Sequence, residues 1–262
     1  MRESREALRF IGYCPQFDAL LDLLTVREHL QLYAGIRGVV QAQRATVVEE
    51  LMQLCELTSY AKTRASALSG GNRRKLSVAL ALIGGPRVVF LDEPSAGMDP
   101  VARRGLWTAV QSIASNCAVV LTTHHLEEVE ALAHRVAIMV DGTLRCIGNK
   151  THLKNKYGSG FEMTIRTHEN VPREEVDAFI QRSFPAAQLD EVRGHRYTYA
   201  LPAGTRLSEA FGELERHREE VGIADYAVSQ TSIEQVFLRI SEGAEEDETH
   251  QEEHSQQMED LL

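Results

Sequence analysis

The spacing of apolar residues changes along this chain, and each spacing predicts a kind of element. The run at 10–14, which Pro15 ends, predicts a short strand. Apolar runs at 87–92 and 118–123 predict buried strands, because a strand covered on both faces is apolar throughout. From Thr25 to about Leu82 the apolar residues recur at helical spacing. Thr25 is a plausible N-cap for the first of these helices, a second carries the apolar positions of 47–55, and a third begins after Ser69-Gly70-Gly71.

From residue 87 onward, predicted strands and helices alternate. Helices are predicted at 100–114 and 126–133, and Asp141-Gly142 between two apolar runs predicts a hairpin. Strand–helix alternation of this kind indicates an α/β domain with a mainly parallel sheet. After about Gly160, strands at 161–166, 197–201 and 224–229 and helices at 173–183, 207–219 and 232–240 predict a small α+β domain.

The net charge of −10 comes from one end of the chain. Residues 241–262 contain nine acidic residues and no Lys or Arg, and the remainder carries 29 acidic and 28 basic residues. A tail of this composition is expected to be disordered. The rest is nearly neutral, so charge does not support nucleic acid as a partner.

Other compositional features narrow the class of protein. No run approaches the roughly 18 apolar residues of a membrane span, so a membrane role would depend on a partner or on further chain. The four cysteines have no CxxC spacing, which favours reduced thiols in a cytosolic protein. The group at His124, His125, Glu127 and Glu128 lacks the ligand spacing of a zinc site.

Two adjacent carboxylates, Asp92 and Glu93, end the predicted strand at 87–92. Ligands bind at the carboxyl edge of a parallel sheet, so these side chains are candidates for chemistry. An aspartate there suits Mg²⁺, which prefers carboxylates together with phosphate oxygens. A neighbouring glutamate can orient an attacking water. The same pair is also compatible with a solvated strand end.

The segment Ser69-Gly70-Gly71 precedes a predicted helix. The first amides of a helix are unpaired and carry partial positive charge, so they form an anion site when no side chain covers them. A flexible turn is the alternative interpretation. His124 and His125 follow the strand at 118–123 and Gln16 follows the first strand, and spacing alone does not choose between the two histidines.

Taken in order, these segments resemble the nucleotide-binding domains of ATP-binding-cassette (ABC) proteins. The order is Gln16, then Leu68-Ser69-Gly70-Gly71, then Val88–Pro94, then Ser95–Asp99, then a histidine after the next strand. The segments at 12–20, 69–77 and 85–94 are similar to the A subfamily, whose members move lipids or retinoid-lipid conjugates. Asn72 and the unit ending at 232–238 suggest the second cassette with its regulatory domain.

The resemblance implies a fold and a set of roles. The fold would be an incomplete ABC-type cassette at 1–157, with a helical subdomain at about 17–85, then a small α+β regulatory-like domain at 158–240. The cofactors would be ATP and Mg²⁺. The implied roles are Asp92 and Gln16 at Mg²⁺, Glu93 as catalytic base, His124 at the γ-phosphate, Ser69, Gly70 and Gly71 at the ATP of the opposite cassette, and Asp99 between the cassettes.

One family element is missing from the 262 residues, which contain no GxxxxGK[ST] phosphate loop. The isolated chain is therefore expected to be inactive as an ATPase. The resemblance implies as partners a second nucleotide-binding domain with an intact phosphate loop and transmembrane domains, at the cytosolic face of a membrane. Two alternatives stay open: a non-catalytic cassette that completes a partner's ATP site through Leu68–Asn72, and a soluble ABC-type ATPase.

Overall fold

The computed structural model describes residues 7–158 and 160–241. The chain divides into two compact units, one ending at Leu132 and the other beginning at Ala133. The contacts group the predicted hairpin with the second unit, and the domain boundary near residue 158 stays a prediction. The predicted acidic tail lies, from residue 242 onward, outside the described residues.

The first unit is built on a three-stranded parallel sheet in the order β1-β2-β3. Its strands are β1 (Ile11–Cys14), β2 (Val88–Asp92) and β3 (Ala118–Thr122). Three helices separate β1 from β2, namely α1 (Val26–Ile36), α2 (Gln41–Leu54) and α3 (Gly70–Leu82), with short 3-10 helices at Thr58–Tyr60 and Ala65–Ala67. Helix α4 (Pro100–Ala114) joins β2 to β3, and α5 (Leu126–Leu132) follows β3. The predicted α/β class with a mainly parallel sheet is confirmed.

The ends of these helices follow from their sequences. Thr25 caps α1 as predicted, and its hydroxyl accepts from the N–H of Glu28 while the Glu28 carboxylate accepts from the N–H of Thr25. This reciprocal pair satisfies two helix-end donors. Leu30 and Ala34 are fully buried in the core beneath the cap. The third helix starts at Gly70, two residues earlier than the sequence predicts, because Ser69 is its N-cap and accepts from the N–H of Asn72.

The second unit has two antiparallel sheets. One pairs β4 (Arg135–Val140) with β5 (Thr143–Asn149), as the turn at Asp141-Gly142 predicts. The other has the order β7-β8-β6-β9, formed by β6 (Phe161–Thr167), β7 (Gln188–Arg193), β8 (Arg196–Leu201) and β9 (Ile223–Gln230). The helices are α6 (Lys150–Tyr157), α7 (Arg173–Ser183), α8 (Leu207–Arg216) and α9 (233–241). The sequence did not predict α6 or β7, and α8 ends earlier than 219.

Gly12 sets how closely β1 approaches α3. A Cβ added there would lie 2.1 Å from the carbonyl oxygen of Ala81 and 3.1 Å from Cγ2 of Val89. The carbonyl oxygen of Ala81 belongs to the backbone of α3, so it cannot move away by a change of rotamer. The sheet edge that follows Cys14 therefore depends on a glycine two residues before it.

Gly12→Ala is expected to destabilise the 262-residue chain by about 3 kcal/mol or more, because the added methyl forces β1 away from α3. Urea unfolding followed by circular dichroism measures this loss. Gly212→Ala is the matched control, since a Cβ at Gly212 in α8 meets nothing within 4 Å. It should raise the free energy of unfolding by about 0.5–1 kcal/mol through helix propensity. Equal effects of the two changes would contradict the proposed packing constraint.

Candidate functional site

The carboxyl ends of β2 and β3 form one polar cluster. Their parallel register pairs Asp92 with Thr122. The Thr122 hydroxyl donates to Oδ1 of Asp92 at 2.6 Å, and the Glu93 N–H approaches Oγ1 of Thr122 at 3.1 Å. One threonine thus holds the Asp92 carboxylate and the backbone of Glu93. Thr122 is not among the residues predicted to act here, although its place near the end of the neighbouring strand is a usable signal.

Glu93 has an unusual backbone and an unusual carboxylate. Its φ is +47°, in the left-handed region, which costs a non-glycine residue about 1–2 kcal/mol. Its Oε1 lies 2.9 Å from Nδ1 of His124, while Oε2 is buried without a hydrogen-bond partner. A buried oxygen without a partner loses its hydration without compensation. The arrangement fits a carboxylate that accepts a hydrogen bond from a bound water.

The structure distinguishes the two adjacent histidines. The ring of His124 contacts Glu93 and is 68% exposed, whereas the Glu93 side chain is 17% exposed. The His125 ring lies 4.1 Å from that of His124, centroid to centroid. His124 is therefore the histidine that contacts Glu93, and most of its ring is open to solvent.

Gln16 is exposed and lies two residues beyond Cys14. Strand β1 pairs with β2 up to Cys14 opposite Leu91, so Gln16 follows the same sheet edge as Asp92. Cys14 is fully buried, and burial raises the pKa of its thiol to about 11. The thiol is thus neutral at physiological pH and is not a nucleophile.

Ser69, Gly70 and Gly71 form a second location, at the start of α3. A Cβ added to Gly70 meets nothing within 4 Å, so the first turn of the helix is open to a ligand. A Cβ added to Gly71 would lie 3.4 Å from Cβ of Ala102 and 3.8 Å from Cε of Met98. The Ser69 hydroxyl accepts from the N–H of Asn72, and the glycines at 70 and 71 carry no side chain that would cover the first turn, so the helix start fits an anion.

Asp99 is the N-cap of α4, and its Oδ1 accepts from the N–H groups of Val101 and Ala102 at 3.0 Å each. The hydrogen bond from Ala102 is the main cause of a lowered pKa at Asp99. A lowered folded-state pKa stabilises the helix start at neutral pH, and this contribution is lost as the pH falls through that pKa. Asp99 thus has a structural role in addition to the one that the resemblance implies.

A buried carboxylate holds the segment before Asp99. Glu128 is fully buried, and its two oxygens accept from the Ser95 hydroxyl at 3.0 Å and from the Trp107 indole at 3.1 Å. This joins α5, which follows His124, to the Ser95 segment and to α4. This role of Glu128 was not predicted, because its spacing in the sequence bears only on a zinc site and nothing in it marks burial.

The types of side chain in the polar cluster suit Mg²⁺ and a nucleotide. Among the residues that the structure describes, no three His, Cys, Asp or Glu side chains are grouped as a metal cage. Mg²⁺ usually binds one or two carboxylates and takes its other ligands from phosphates and water. Asp92, next to the buried and unpartnered Glu93 Oε2, fits that requirement. None of the helices within the described ranges is long and apolar enough to cross a membrane.

Comparisons with known proteins identify the family and the fold. The ABC transporter family model matches residues 1–96, and the model of the ABCA1-like C-terminal R1 regulatory domain matches residues 158–230. An ATP-binding cassette solved as a dimer in a post-hydrolysis state with ADP and phosphate has a TM-score of 0.51. It is 21% identical and aligns over 57% of this chain and 67% of that one. The structure of an ABC transporter's ATP-binding subunit has a TM-score of 0.53 at 24% identity, covering 60% of this chain and 66% of that one. At such identities the likeness concerns the fold.

Relatives found by sequence have a higher identity to this chain than these two solved structures. ATP-binding cassette sub-family A member 7 of Mus musculus is 49% identical over 256 residues, or 95% of this chain. Phospholipid-transporting ATPase ABCA3 of Homo sapiens is 47% identical over 237 residues, or 88% of this chain. The chain spans only 12% and 14% of these relatives. It belongs to the A subfamily of ATP-binding-cassette transporters, with a region that matches the ABC transporter model followed by a region that matches the R1 regulatory domain.

Proposed function

We propose that this chain is the ATP-hydrolysing region of a lipid transporter, in which ATP binding and hydrolysis drive transport. The observation that supports this best is the pairing of Glu93 with His124 at the edge of a parallel sheet, where Glu93 Oε2 is buried without a partner. A carboxylate in that state is suited to accept a proton from, or orient, a water.

Each residue of the cluster then has a chemical task. Asp92, held by the Thr122 hydroxyl, would bind Mg²⁺ together with Gln16. When bound, MgATP supplies the phosphoryl group and the metal charge that neutralises it. Glu93 orients the water, and His124 holds the Glu93 carboxylate and contacts the phosphate. These are this chain's contributions to hydrolysis.

The start of α3 would act on a different ATP. Ser69, Gly70 and Gly71 would cap the nucleotide bound by a second cassette with an intact phosphate loop, and Asp99 would help to join the two cassettes. The open first turn at Gly70 supports this role.

The relatives' names suggest phospholipid as the substrate, since ABCA3 of Homo sapiens is named a phospholipid-transporting ATPase. The match of residues 158–230 to the R1 regulatory domain favours the second of two cassettes. The chain would lie at the cytosolic face of a membrane, attached through transmembrane domains, with the predicted domain limits of 1–157 and 158–240.

A second function is compatible with the exposed start of α3. A cassette that does not hydrolyse ATP could still complete a partner's ATP site through Leu68–Asn72. The exposed start of α3 favours this alternative, because that role needs no phosphate loop from this chain. The two functions differ in whether ATPase activity requires the Glu93 carboxylate.

A graft supplies the context that the 262 residues do not contain. In the graft, this chain replaces the matching 256 residues of Mus musculus ATP-binding cassette sub-family A member 7. Purified in phospholipid vesicles, the graft is expected to hydrolyse ATP within about tenfold of the parent, a difference of about 1.4 kcal/mol. A well-folded graft without ATPase activity, next to an active parent, would reject the proposed function.

Asp92→Asn in the graft is expected to raise the Mg²⁺ concentration needed for half-maximal ATPase activity by about 10- to 100-fold. One charge-assisted interaction of about 1.5–3 kcal/mol is lost, while the amide oxygen still accepts from Thr122. Magnesium titration of phosphate release measures the shift. Asp190→Asn, on the exposed strand β7, is the matched control. An unchanged Mg²⁺ requirement would exclude Asp92 as the metal-binding residue.

A further inference from the structure

Arg74 in α3 is an arginine whose hydrogen-bonding capacity is fully used by the polypeptide. Its side chain is buried, with 3% of the residue exposed. A guanidinium has five N–H donors in a rigid planar fork. The donors of Arg74 meet five acceptors, which are the backbone carbonyls of Pro15, Asp92, Glu93 and Pro94 and the carboxylate of Asp18.

The carbonyl acceptors come from the two segments that carry the candidate chemistry. Pro15 directly precedes Gln16, and the other three carbonyls span the turn that contains Glu93. Backbone carbonyls beyond the end of a strand lack a ladder partner, and burying them unpaired is costly. Arg74 pairs them on both sides of Glu93, whose φ of +47° is unfavourable by itself.

A strained backbone persists only where the surroundings determine it. The Glu93 N–H donates to the hydroxyl and the carbonyl of Thr122, and the Glu93 carbonyl accepts from Nη2 of Arg74 at 3.0 Å as well as from the N–H of Ala96 at 3.1 Å. Arg74 and Thr122 thus hold opposite ends of the residue, and the Ala96 N–H closes the turn. The direction of the Glu93 carboxylate toward His124 follows from this backbone.

We propose that Arg74 is a positioning residue for ATP hydrolysis, holding the Glu93 turn and the Gln16 segment in the geometry that lets Glu93 orient water. This inference rests on the proposed function. Arg74 is itself buried and contacts the backbone carbonyls of the turn, so it acts through Glu93.

Arg37 is a matched control because it binds backbone carbonyls in the same way at another place. Its guanidinium donates to the carbonyls of Leu8, Arg9, Ile11 and Ile83. Ile11 begins β1, at the end of that strand away from Gln16. Arg37→Gln therefore removes an equivalent structural arginine without reaching the Glu93 turn.

The test is a double-mutant cycle in the graft, with Arg74→Gln, Glu93→Gln and both changes together. Arg74→Gln alone is expected to lower kcat about 10- to 100-fold, because small misplacements of catalytic groups have effects of that size. The KM for ATP should stay within about twofold. In the presence of Glu93→Gln, the same change should lower kcat by less than about threefold, since residues that act as a unit are not additive. Arg37→Gln should leave kcat unchanged.

Two outcomes would overturn the inference. If Arg74→Gln lowers kcat by the same factor with and without the Glu93 carboxylate, Arg74 has a structural role only. If amide hydrogen exchange in the 262-residue chain is no faster at residues 93–96 after Arg74→Gln than after Arg37→Gln, Arg74 does not hold the turn. Failure of the proposed function is a separate result, seen as Glu93→Gln having no effect on the graft's ATPase activity.

Discussion

Glu93→Gln in the graft is expected to reduce ATP hydrolysis by about 10²- to 10⁴-fold, the range for loss of a positioned general base. Glutamine has nearly the same shape, so the left-handed turn and the contact with His124 can persist. The amide cannot take a proton from water, and it presents an N–H₂ group where one of the carboxylate oxygens was. Steady-state release of phosphate, together with the KM for ATP, measures the change. The loss should fall on kcat.

A neighbouring carboxylate provides the control for Glu93→Gln. Glu127 is an exposed glutamate in the first turn of α5, three residues after His124. Glu127→Gln removes the same charge close to the site and should leave kcat within about twofold, as exposed substitutions away from special features have small effects. If Glu93→Gln and Glu127→Gln were equally mild, Glu93 would not be the base, and the non-catalytic alternative would gain support.

The parallel sheet could be predicted because its strands leave a strong local signal. Strands β2 and β3 are apolar runs between turn residues, and acidic or polar side chains stand where each one ends. Since parallel strands place their carboxyl ends at one edge, the sequence places Asp92 and Glu93 at the edge that His124 and His125 also follow, and only the family resemblance selects His124. The structure brings Asp92, Glu93 and His124 together.

The elements that the sequence missed lack an apolar pattern. All residues of β7 (Gln188–Arg193) are exposed, so no inward-facing alternation marks the strand. In α6 (Lys150–Tyr157), Leu153 is the buried residue of an otherwise polar helix. Both form because of neighbours in space, β8 for the strand and β5 for the helix. Periodicity cannot report contacts of that kind.

The contacts of Arg74 and Glu128 were unpredictable for a similar reason. Each is a charged residue that is almost completely buried, against the usual preference of its type. Their acceptors and donors come from segments 18 to 59 residues away in the chain. A sequence shows which residues carry chemistry more readily than it shows which residues hold them in place.

Gly70→Asp in the graft is expected to lower ATPase activity by about 10²-fold or more while leaving the fold of this chain intact. The substitution places a carboxylate at the open start of α3, where the phosphate of a second cassette's ATP is proposed to lie. Placing two like charges opposite each other there costs several kcal/mol, and each 1.36 kcal/mol added to the barrier lowers the rate tenfold. Phosphate release by the graft, with the KM for ATP, measures the loss.

The stability of the 262-residue chain separates this effect from misfolding. A Cβ at Gly70 meets nothing within 4 Å, and an acidic residue in the first turn of a helix is favourable by about 0.3–1 kcal/mol. Gly70→Asp should therefore leave the urea midpoint of the chain unchanged or slightly higher. Gly212→Asp, also at an open helical glycine, controls for the substitution itself and should not affect ATPase activity.

The pair of results at Glu93 and Gly70 distinguishes the two proposed functions. A catalytic cassette that also caps its partner's ATP requires both residues, so each substitution alone should abolish most of the activity. A non-catalytic cassette requires Gly70 and tolerates Glu93→Gln. Tolerance of Gly70→Asp would contradict both functions, since both place a phosphate at the start of α3. The open glycine turn is thus the feature on which the two proposals depend together, and the Glu93 carboxylate is the feature that separates them.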